Sequence, residues 1–170
     1  FLEAFNDGRL QVASEKLIVI GGGDTSIDVA SVARRIGNIS NIAEKDLPEN
    51  VVLGYTAHDV MDTATKEGAD VTLISRSSIE NMPAAQHEID DALREGIKIQ
   101  GNLSPKEVIK DASGRAIALR VIKLEENGKI PIEGSEFDIE ATLIVSAIGQ
   151  KGDMSGIEDL DNGKGFIDSD

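Results

Sequence analysis

KLIVIGGGDTSIDVASVARR, residues 16–35, joins a short apolar run to three consecutive glycines and then to a helical pattern. Residues 16–20 are typical of a strand that is buried on both faces. After the glycines, apolar side chains recur at helical spacing, at Ile27, Ala30 and Ala33. The glycines therefore lie where a buried strand must turn sharply into an amphipathic helix.

Composition limits the classes of protein to which the chain can belong. Its 170 residues suit one domain, and 40% of them are hydrophobic without any run long enough to span a bilayer. The net charge of −14 argues against nucleic acid and anionic membranes as partners. We therefore expect a globular, cytoplasmic protein. Because the chain opens with Phe1 rather than Met, we also expect it to be a piece of a longer protein.

The residue types that most often carry metal and thiol chemistry are scarce. The chain has no cysteine, which excludes disulfides, thiol nucleophiles and cysteine-ligated metal sites. Its two histidines, His58 and His87, lie far apart and have no ligand-spaced carboxylates around them. We predict no metal site and no catalytic side chain.

The remaining elements predict an α/β fold with a Rossmann-like parallel sheet, helices and an appended antiparallel β-meander, a three-layer ββα dinucleotide-binding domain. A second buried strand follows at 70–75, and a third element of the sheet at 141–150. Between them the pattern predicts a helix, a short strand and the meander, over residues 84–96, 97–101 and 106–140.

The predicted domain boundaries follow from the same pass along the chain. Residues 1–14 are interpreted as an incoming linker and 15–150 as the domain itself. Two helix endings precede the second strand where one would suffice, so residues 38–65 are interpreted as an insertion, either a surface excursion or a functional lid. The Gly- and Asp-rich tail, 151–170, carries no strong pattern of its own.

The glycine turn has the pattern Gly21-x-Gly23-x-x-Ser26. In a dinucleotide fold the first glycine permits the tight turn, the second lets pyrophosphate approach the backbone, and the third position must be small. Unpaired N–H groups at the helix start would then face the phosphates. Thr25 and Asp28 have the spacing of a capping box that would begin the helix. A tight turn without any ligand is the alternative interpretation.

One residue of the turn does not favour phosphate. Asp24 places a carboxylate beside the predicted phosphate site, and we expect it to act as a helix cap with its charge turned away. The cofactor-binding residues predicted from the turn are Gly21, Gly22, Gly23, Asp24, Thr25 and Ser26.

The end of the second strand indicates which nucleotide the fold would select. An acidic residue there would bind a ribose diol, whereas an arginine would accept a 2′-phosphate. The chain has no acid at this position and instead reads Ser75-Arg76-Ser77, one arginine among hydroxyls. This favours NADP over NAD, and it argues against a methyltransferase site, which usually needs the acid. An ordinary exposed arginine in a polar loop is the alternative.

The glycine turn, the MPA segment at 82–84, EGSEF at 133–137 and AIGQ at 147–150 occur in this order. Together these four motifs resemble the NADPH-binding domain of the glutamate synthase small (beta) subunit and its flavoprotein relatives in the pyridine nucleotide-disulphide oxidoreductase superfamily. The family pattern has a GGGNTA-like turn, a strand ending in Arg-Arg, an MPA segment, an EGSEF turn and a strand ending in AIGQ. The chain has VIGGGDTSIDVA, DVTLISRSSIENMPA and PIEGSEFDIEATLIVSAIGQ. The resemblance covers residues 15–150 apart from the insertion.

The resemblance implies a cofactor chain that extends beyond these residues. It implies NADPH, or NADH, bound at the glycine turn with its 2′-phosphate at Arg76. The resemblance makes residues 15–150 the NAD(P)H-binding domain. Ala147, Ile148 and Gly149 would mark the strand that returns toward an FAD-binding domain of the same parent chain, and residues 151–170 would be the return segment toward it. Hydride would pass to that FAD and electrons onward to an iron–sulfur domain or subunit. The chain alone would then bind no FAD and show no turnover.

Three departures from the family pattern weaken the 2′-phosphate assignment. Asp24 replaces the usual Asn, Ser77 replaces the second Arg, and Ile79 stands where a further basic residue is common. A non-enzymatic Rossmann module that senses a nucleotide is the alternative function.

Other residues are assigned structural roles. Glu88, Asp90, Asp91 and Glu95 are predicted to form a solvated helix face that also carries His87. The Met82-Pro83 pair is interpreted as a loop anchor, with a role in shaping the nicotinamide side of the cleft as the alternative.

Overall fold

The computed structural model describes residues 1–7, 15–36, 69–126 and 128–149. The helices are α1 (Leu2–Asn6), α2 (Asp24–Ile36) and α3 (Gln86–Arg94), and a 3-10 turn spans Ile79–Asn81. The strands are β1 (Lys16–Ile20), β2 (Asp70–Ile74), β3 (Lys98–Gln100), β4 (Leu103–Lys110), β5 (Ala116–Lys123), β6 (Phe137–Glu140) and β7 (Leu143–Ser146). None of the described helices has the length and apolar character needed to cross a bilayer.

Four strands form a parallel sheet in the order β3-β2-β1-β7. The first strand lies at its centre, with Leu17 opposite both Val71 of β2 and Leu143 of β7. All three strand pairings of this sheet are parallel, as the predicted α/β fold requires. The carboxyl ends of β1, β2 and β7 therefore meet at one edge of the sheet, where parallel folds bind their ligands.

The parallel sheet is covered on both faces, which explains the continuous apolar runs in its strands. Leu17 and Val19 pack on the helical side against α2 and α3. Ile18, whose side chain points the opposite way, packs in a second core with Leu119 and Val121 of β5. The three layers are thus meander, parallel sheet and helices, and the predicted three-layer ββα fold is confirmed.

The meander is a three-stranded antiparallel sheet in the order β4-β5-β6. Its first strand begins at Leu103, three residues before the predicted start at 106. Leu103 is buried in the second core and pairs with Lys123 of β5, so its packing extends the strand. Pro105 is accommodated because β4 is an edge strand, where a missing N–H donor costs little.

The predicted boundaries lie largely outside the described residues. The insertion at 38–65, which contains His58, and the return segment at 151–170 both lie outside them. Of the predicted linker 1–14, residues 1–7 are described. Phe1 and Leu2 pack against the helix-side core there.

The carboxyl end of α2 is fixed to the end of α3 by two arginines. The buried Arg34 donates hydrogen bonds of 3.0 Å to the carbonyl oxygens of Glu95 and Ala69. Arg35 pairs with the Glu95 carboxylate. The prediction that Glu95 lies on a solvated helix face is therefore wrong, since the facing arginines draw it into the interior.

Candidate functional site

A cleft of about 720 Å³ opens at the carboxyl edge of the parallel sheet. It lies between the glycine turn after β1, the loop after β2 and the residues after β7, and the start of β4 closes one side. The sequence-predicted residues that line it are Gly21, Gly22, Gly23, Asp24, Thr25, Ser75, Arg76, Ser77, Ala147, Ile148 and Gly149. Its volume is within the range of natural small-molecule sites.

Ser26 is the one predicted binding residue that does not line the cleft. Its side chain is fully buried beneath the turn, and its hydroxyl donates a 2.5 Å hydrogen bond to the carbonyl oxygen of Gly23. A Cβ atom on Gly21 would lie 2.8 Å from the Ser26 Cβ. Both positions must therefore stay small, because strand and helix approach closely here.

The glycines of the turn differ in what a side chain would meet. A Cβ atom on Gly22 would lie 2.7 Å from the Ser75 hydroxyl oxygen, so this glycine is required for packing against the loop after β2. A Cβ atom on Gly23 would have no atom within 4 Å. The missing Gly23 side chain therefore leaves open space at the start of α2, where the helix presents unpaired N–H groups.

Helix α2 begins at Asp24, one residue earlier than the predicted cap. Ile27 N–H donates to the carbonyl oxygen of Gly23, which makes Gly23 the residue that precedes the helix. Thr25 therefore lies within the helix and does not precede it, so the predicted capping box of Thr25 and Asp28 is wrong. The Ser26 hydroxyl bonds to the same Gly23 carbonyl.

The loop that carries Arg76 is held by backbone contacts on both sides. Ser77 N–H donates to the Ser75 hydroxyl oxygen at 3.2 Å, and Asn102 N–H donates to the Ser77 carbonyl at 3.1 Å. A Cβ atom on Gly128 would lie 3.2 Å from the Arg76 carbonyl carbon. Gly128 belongs to the turn between β5 and β6, so the meander supports this loop.

Arg76 itself is exposed at the cleft wall. Within the described ranges its guanidinium has no hydrogen-bond or ion-pair partner, unlike Arg34, Arg35 and Arg120. Asp24 is the other charged residue in the lining. The guanidinium is therefore free to pair with an anion in the cleft.

The Asp24 carboxylate is directed to a different helix. Its Oδ1 accepts a 3.0 Å hydrogen bond from the N–H of Ala85, the residue before α3. Glu88, in the first turn of α3, is half-buried beside it. Burial and then the neighbouring Asp24 charge raise the pKa of the Glu88 carboxyl. Of the predicted solvated face, Asp90 and Asp91 are exposed, and Glu88 is partly buried.

The segment before α3 contributes a cleft wall that the turn motifs alone do not specify. Met82 and Ala84 are buried, whereas Pro83 is exposed and lines the cleft. Ser104 and Pro105 at the start of β4 form the facing wall. Ser104 and Pro105 were not predicted as cleft residues from the sequence. Their position between two predicted strands was the one feature that could have indicated it.

The strand β7 delivers the last predicted residues to the cleft. Ala147 N–H continues the pairing with β1 through a 2.8 Å hydrogen bond to the Ile20 carbonyl. Ile148 then stands 76% exposed at the cleft mouth, and Gly149 adopts a φ of +97° that favours glycine.

Among the described residues no group of three acidic or histidine side chains is placed to hold a metal ion. His87 is exposed on α3 and does not line the cleft. The cleft offers backbone donors and one arginine, which suit the binding of an anionic ligand.

Solved structures with the same architecture are thioredoxin reductases. The chain superposes on the Lactococcus lactis enzyme with a TM-score of 0.59 at 16% identity, covering 98% of this chain and 42% of that one. For the T. acidophilum thioredoxin reductase, the TM-score is 0.56 at 15% identity, with 89% of this chain and 37% of that one covered. These likenesses establish the fold class.

The sequence profile of the pyridine nucleotide-disulphide oxidoreductase family matches residues 2–169, and the chain belongs to that family. It is 29% identical over 167 residues to the NADPH-Fe(3+) oxidoreductase subunit beta of Geobacter sulfurreducens, covering 94% of this chain and 20% of that protein. It is 27% identical over 154 residues to the glutamate synthase [NADPH] small chain of Azospirillum brasilense, covering 87% and 26%.

The resemblance to the glutamate synthase small chain and its relatives is thereby confirmed, at the level of distant homology. The NADP(+)-dependent formate dehydrogenase subunit beta of Moorella thermoacetica is a further relative, 28% identical over 113 residues, with 62% of this chain and 16% of that protein covered. The chain spans about a fifth to a quarter of the length of the first two relatives.

Proposed function

We propose that this chain is the NAD(P)H-binding domain of a flavin-dependent oxidoreductase and that it prefers NADPH to NADH. The observation that carries the proposal is the pairing of open space at Gly23 with the unpartnered guanidinium of Arg76 in one cleft. The first provides backbone donors for a pyrophosphate, and the second provides a cation for a 2′-phosphate.

The described residues fit this cofactor. The turn from Gly21 to Thr25 would bind the pyrophosphate through its N–H groups and the α2 dipole. Arg76 and Ser77 would bind the 2′-phosphate, and the Pro83 wall would bound the cleft beside the turn. The bound nicotinamide would supply the chemistry, a hydride passed to a flavin. The chain's own contribution is to bind and orient.

The names of the relatives support NADPH over NADH. NADPH or NADP(+) is part of the names of the Geobacter, Azospirillum and Moorella proteins. Because the chain spans only part of the relatives' length, the flavin would be bound by an FAD-binding domain of the same parent chain. Onward transfer to an iron–sulfur domain or subunit belongs to the same proposal.

Calorimetric titration with NADPH and NADH tests the proposal, using wild type and Arg76→Ala. Arg115→Ala is the matched control, because Arg115 is also exposed but lies in the β4–β5 turn, away from the cleft. We expect tighter binding of NADPH than of NADH. Arg76→Ala should weaken NADPH binding about 10- to 100-fold, the value of a charge-assisted contact, and leave NADH binding unchanged.

Three outcomes would contradict this function. Equal binding of NADPH and NADH by the wild type would remove the NADPH preference and leave a domain linked to NAD. No binding of either nucleotide at millimolar concentration would show that the cleft alone is not a dinucleotide site. A loss of NADPH affinity in Arg115→Ala as large as in Arg76→Ala would indicate a general charge effect instead.

A further inference from the structure

The carboxylate of Asp24 lies at the phosphate-facing turn, yet its hydrogen bond is made to another helix. Oδ1 accepts from Ala85 N–H at 3.0 Å. No side chain of the α3 segment itself caps this helix, so Asp24 satisfies a donor at its amino end.

A second hydrogen bond joins the same two segments one residue earlier. Ala84 N–H donates to the Gly22 carbonyl at 3.1 Å. We call these two bonds the Asp24 clamp: Ala84 to Gly22 and Ala85 to Asp24. They immediately follow Pro83, which lines the cleft. The clamp therefore fixes one wall of the cleft relative to the glycine turn.

Glu88 lies beside the clamp. It is half-buried, and within the described part of the chain its Oε2 is buried without a hydrogen-bond partner. Asp24 is itself exposed and lines the cleft, so its charge stays near the glycine turn while its Oδ1 accepts from Ala85.

We propose that Asp24 is a positioning residue of the nucleotide site, whose carboxylate oxygen holds the Met82–Ala85 segment across the glycine turn. The proposal rests on the proposed function, since it concerns the same cleft. The negative charge of Asp24 would disfavour a phosphate nearby, so its charge does not explain its place in the turn. In this proposal the site needs the oxygen acceptor and does not need the negative charge. An asparagine would serve as acceptor equally well.

The test separates the acceptor from the charge. Asp24→Asn keeps an oxygen acceptor and removes the charge, whereas Asp24→Ala removes both. Asp28→Asn and Asp28→Ala are matched controls, because Asp28 lies on the same helix, is exposed, and does not line the cleft. NADPH affinity is measured by calorimetry for each variant. Hydrogen exchange of the Ala85 amide is measured by NMR without nucleotide.

We expect Asp24→Asn to bind NADPH as tightly as wild type or up to about threefold more tightly, since a like charge near the phosphates is gone. Asp24→Ala should bind about tenfold more weakly than Asp24→Asn, because the loss of an acceptor frees the Pro83 wall. The Ala85 amide should exchange about tenfold faster in Asp24→Ala and at the wild-type rate in Asp24→Asn. Asp28→Asn and Asp28→Ala should not differ from each other in NADPH affinity or in the exchange rate of the Ala85 amide.

Equal NADPH affinities for Asp24→Asn and Asp24→Ala would overturn the proposal, as would unchanged exchange of Ala85 in Asp24→Ala. Failure of the proposed function is distinguishable. If the wild-type chain bound no NADPH, that function would fail, whereas the clamp would stand or fall on the exchange of Ala85 alone.

Discussion

Arg35 Nη2 lies 2.7 Å from Glu95 Oε1, so that a glutamate only 5% exposed is paired with an arginine from the neighbouring helix. At the opposite ends of the same helices, Asp24 accepts the Ala85 N–H. The starts of α2 and α3 are therefore joined, and so are their ends. The two helices lie side by side as one layer beneath the glycine turn.

Arg35→Ala should lower the free energy of unfolding by about 1–2 kcal/mol, because it leaves the Glu95 carboxylate buried without its charged partner. The value is limited because the Arg35 side chain is itself 45% exposed. Urea denaturation measures it. Arg94→Ala is the control. Among the residues that the structure describes, Arg94 pairs only with exposed Asp91 on its own helix, so the change should alter stability by less than about 0.5 kcal/mol. Equal effects of the two would refute a special role for the Arg35 pair.

Gly23→Ala should separate nucleotide binding from folding. Its Cβ would enter open space, and its φ lies outside the left-handed region, so the free energy of unfolding should change by less than about 0.5 kcal/mol. NADPH affinity should fall at least about tenfold, because the methyl group would occupy the pyrophosphate position.

Gly22→Ala provides the contrast, measured by the same denaturation and titration. Its Cβ would lie 2.7 Å from the Ser75 hydroxyl oxygen, so we expect a loss of stability of about 1–3 kcal/mol. If Gly23→Ala bound NADPH as wild type does, the open space there would not be the phosphate site.

Gly128→Ala should alter the discrimination between NADPH and NADH from outside the cleft. The glycine has a φ of +67°, and its added Cβ would press on the Arg76 carbonyl group. We expect the ratio of NADPH to NADH affinity to fall about three- to tenfold, because Arg76 would be displaced. The ratio is measured by titration with each nucleotide.

Gly114→Ala is the matched control for backbone strain. Its φ is +83°, but its Cβ would have no atom within 4 Å. Both substitutions should destabilise the fold by about 1 kcal/mol through the left-handed backbone, yet only Gly128→Ala should shift nucleotide preference. If the ratio of NADPH to NADH affinity fell in both Gly128→Ala and Gly114→Ala, the cause would be a general loss of stability and not the contact with Arg76.

The raised pKa of Glu88 predicts that the free energy of unfolding depends on pH. Burial and then the Asp24 charge raise its pKa in the folded chain, an effect that Asp28 reinforces and His87 opposes. The folded state therefore holds the Glu88 proton more tightly than the unfolded state. The stabilising contribution is full below the ordinary glutamate pKa of 4.5 and is lost as pH rises through the higher folded value.

Glu88→Gln should thus gain stability relative to wild type as pH increases from 4 upward, measured by denaturation at a series of pH values. In an Asp24→Asn background the gain should be smaller, because one cause of the raised pKa is removed. A stability difference that stayed constant with pH would show that Glu88 titrates alike in the folded and unfolded chain.

The sequence was sufficient for the parts of the site that are local in the chain. The buried strand at 16–20, the glycine turn and the Arg76 loop follow from periodicity and from the backbone freedom of glycine. The burial of Glu95 could not be predicted this way. It depends on Arg35, 60 residues away, and a helical acidic residue is ordinarily solvated.

The Asp24 bond was unpredictable for a similar reason. A carboxylate at a helix start indicates a cap of its own helix. That it accepts instead from Ala85, 61 residues later, depends on the side-by-side placement of α2 and α3. The support of Arg76 by Gly128 likewise requires the meander to be folded over the loop. Contacts between distant elements decide these features.

The hydrogen bond from Arg34 to the Ala69 carbonyl joins two described segments that are distant in the chain. It ties the last turn of α2 to the residue that precedes β2, although 35 positions separate them. The end of α2 and the start of β2 are therefore held together by a direct contact as well as by the chain that connects them. The cross-link works as a built-in staple of the scaffold, made without any covalent bond.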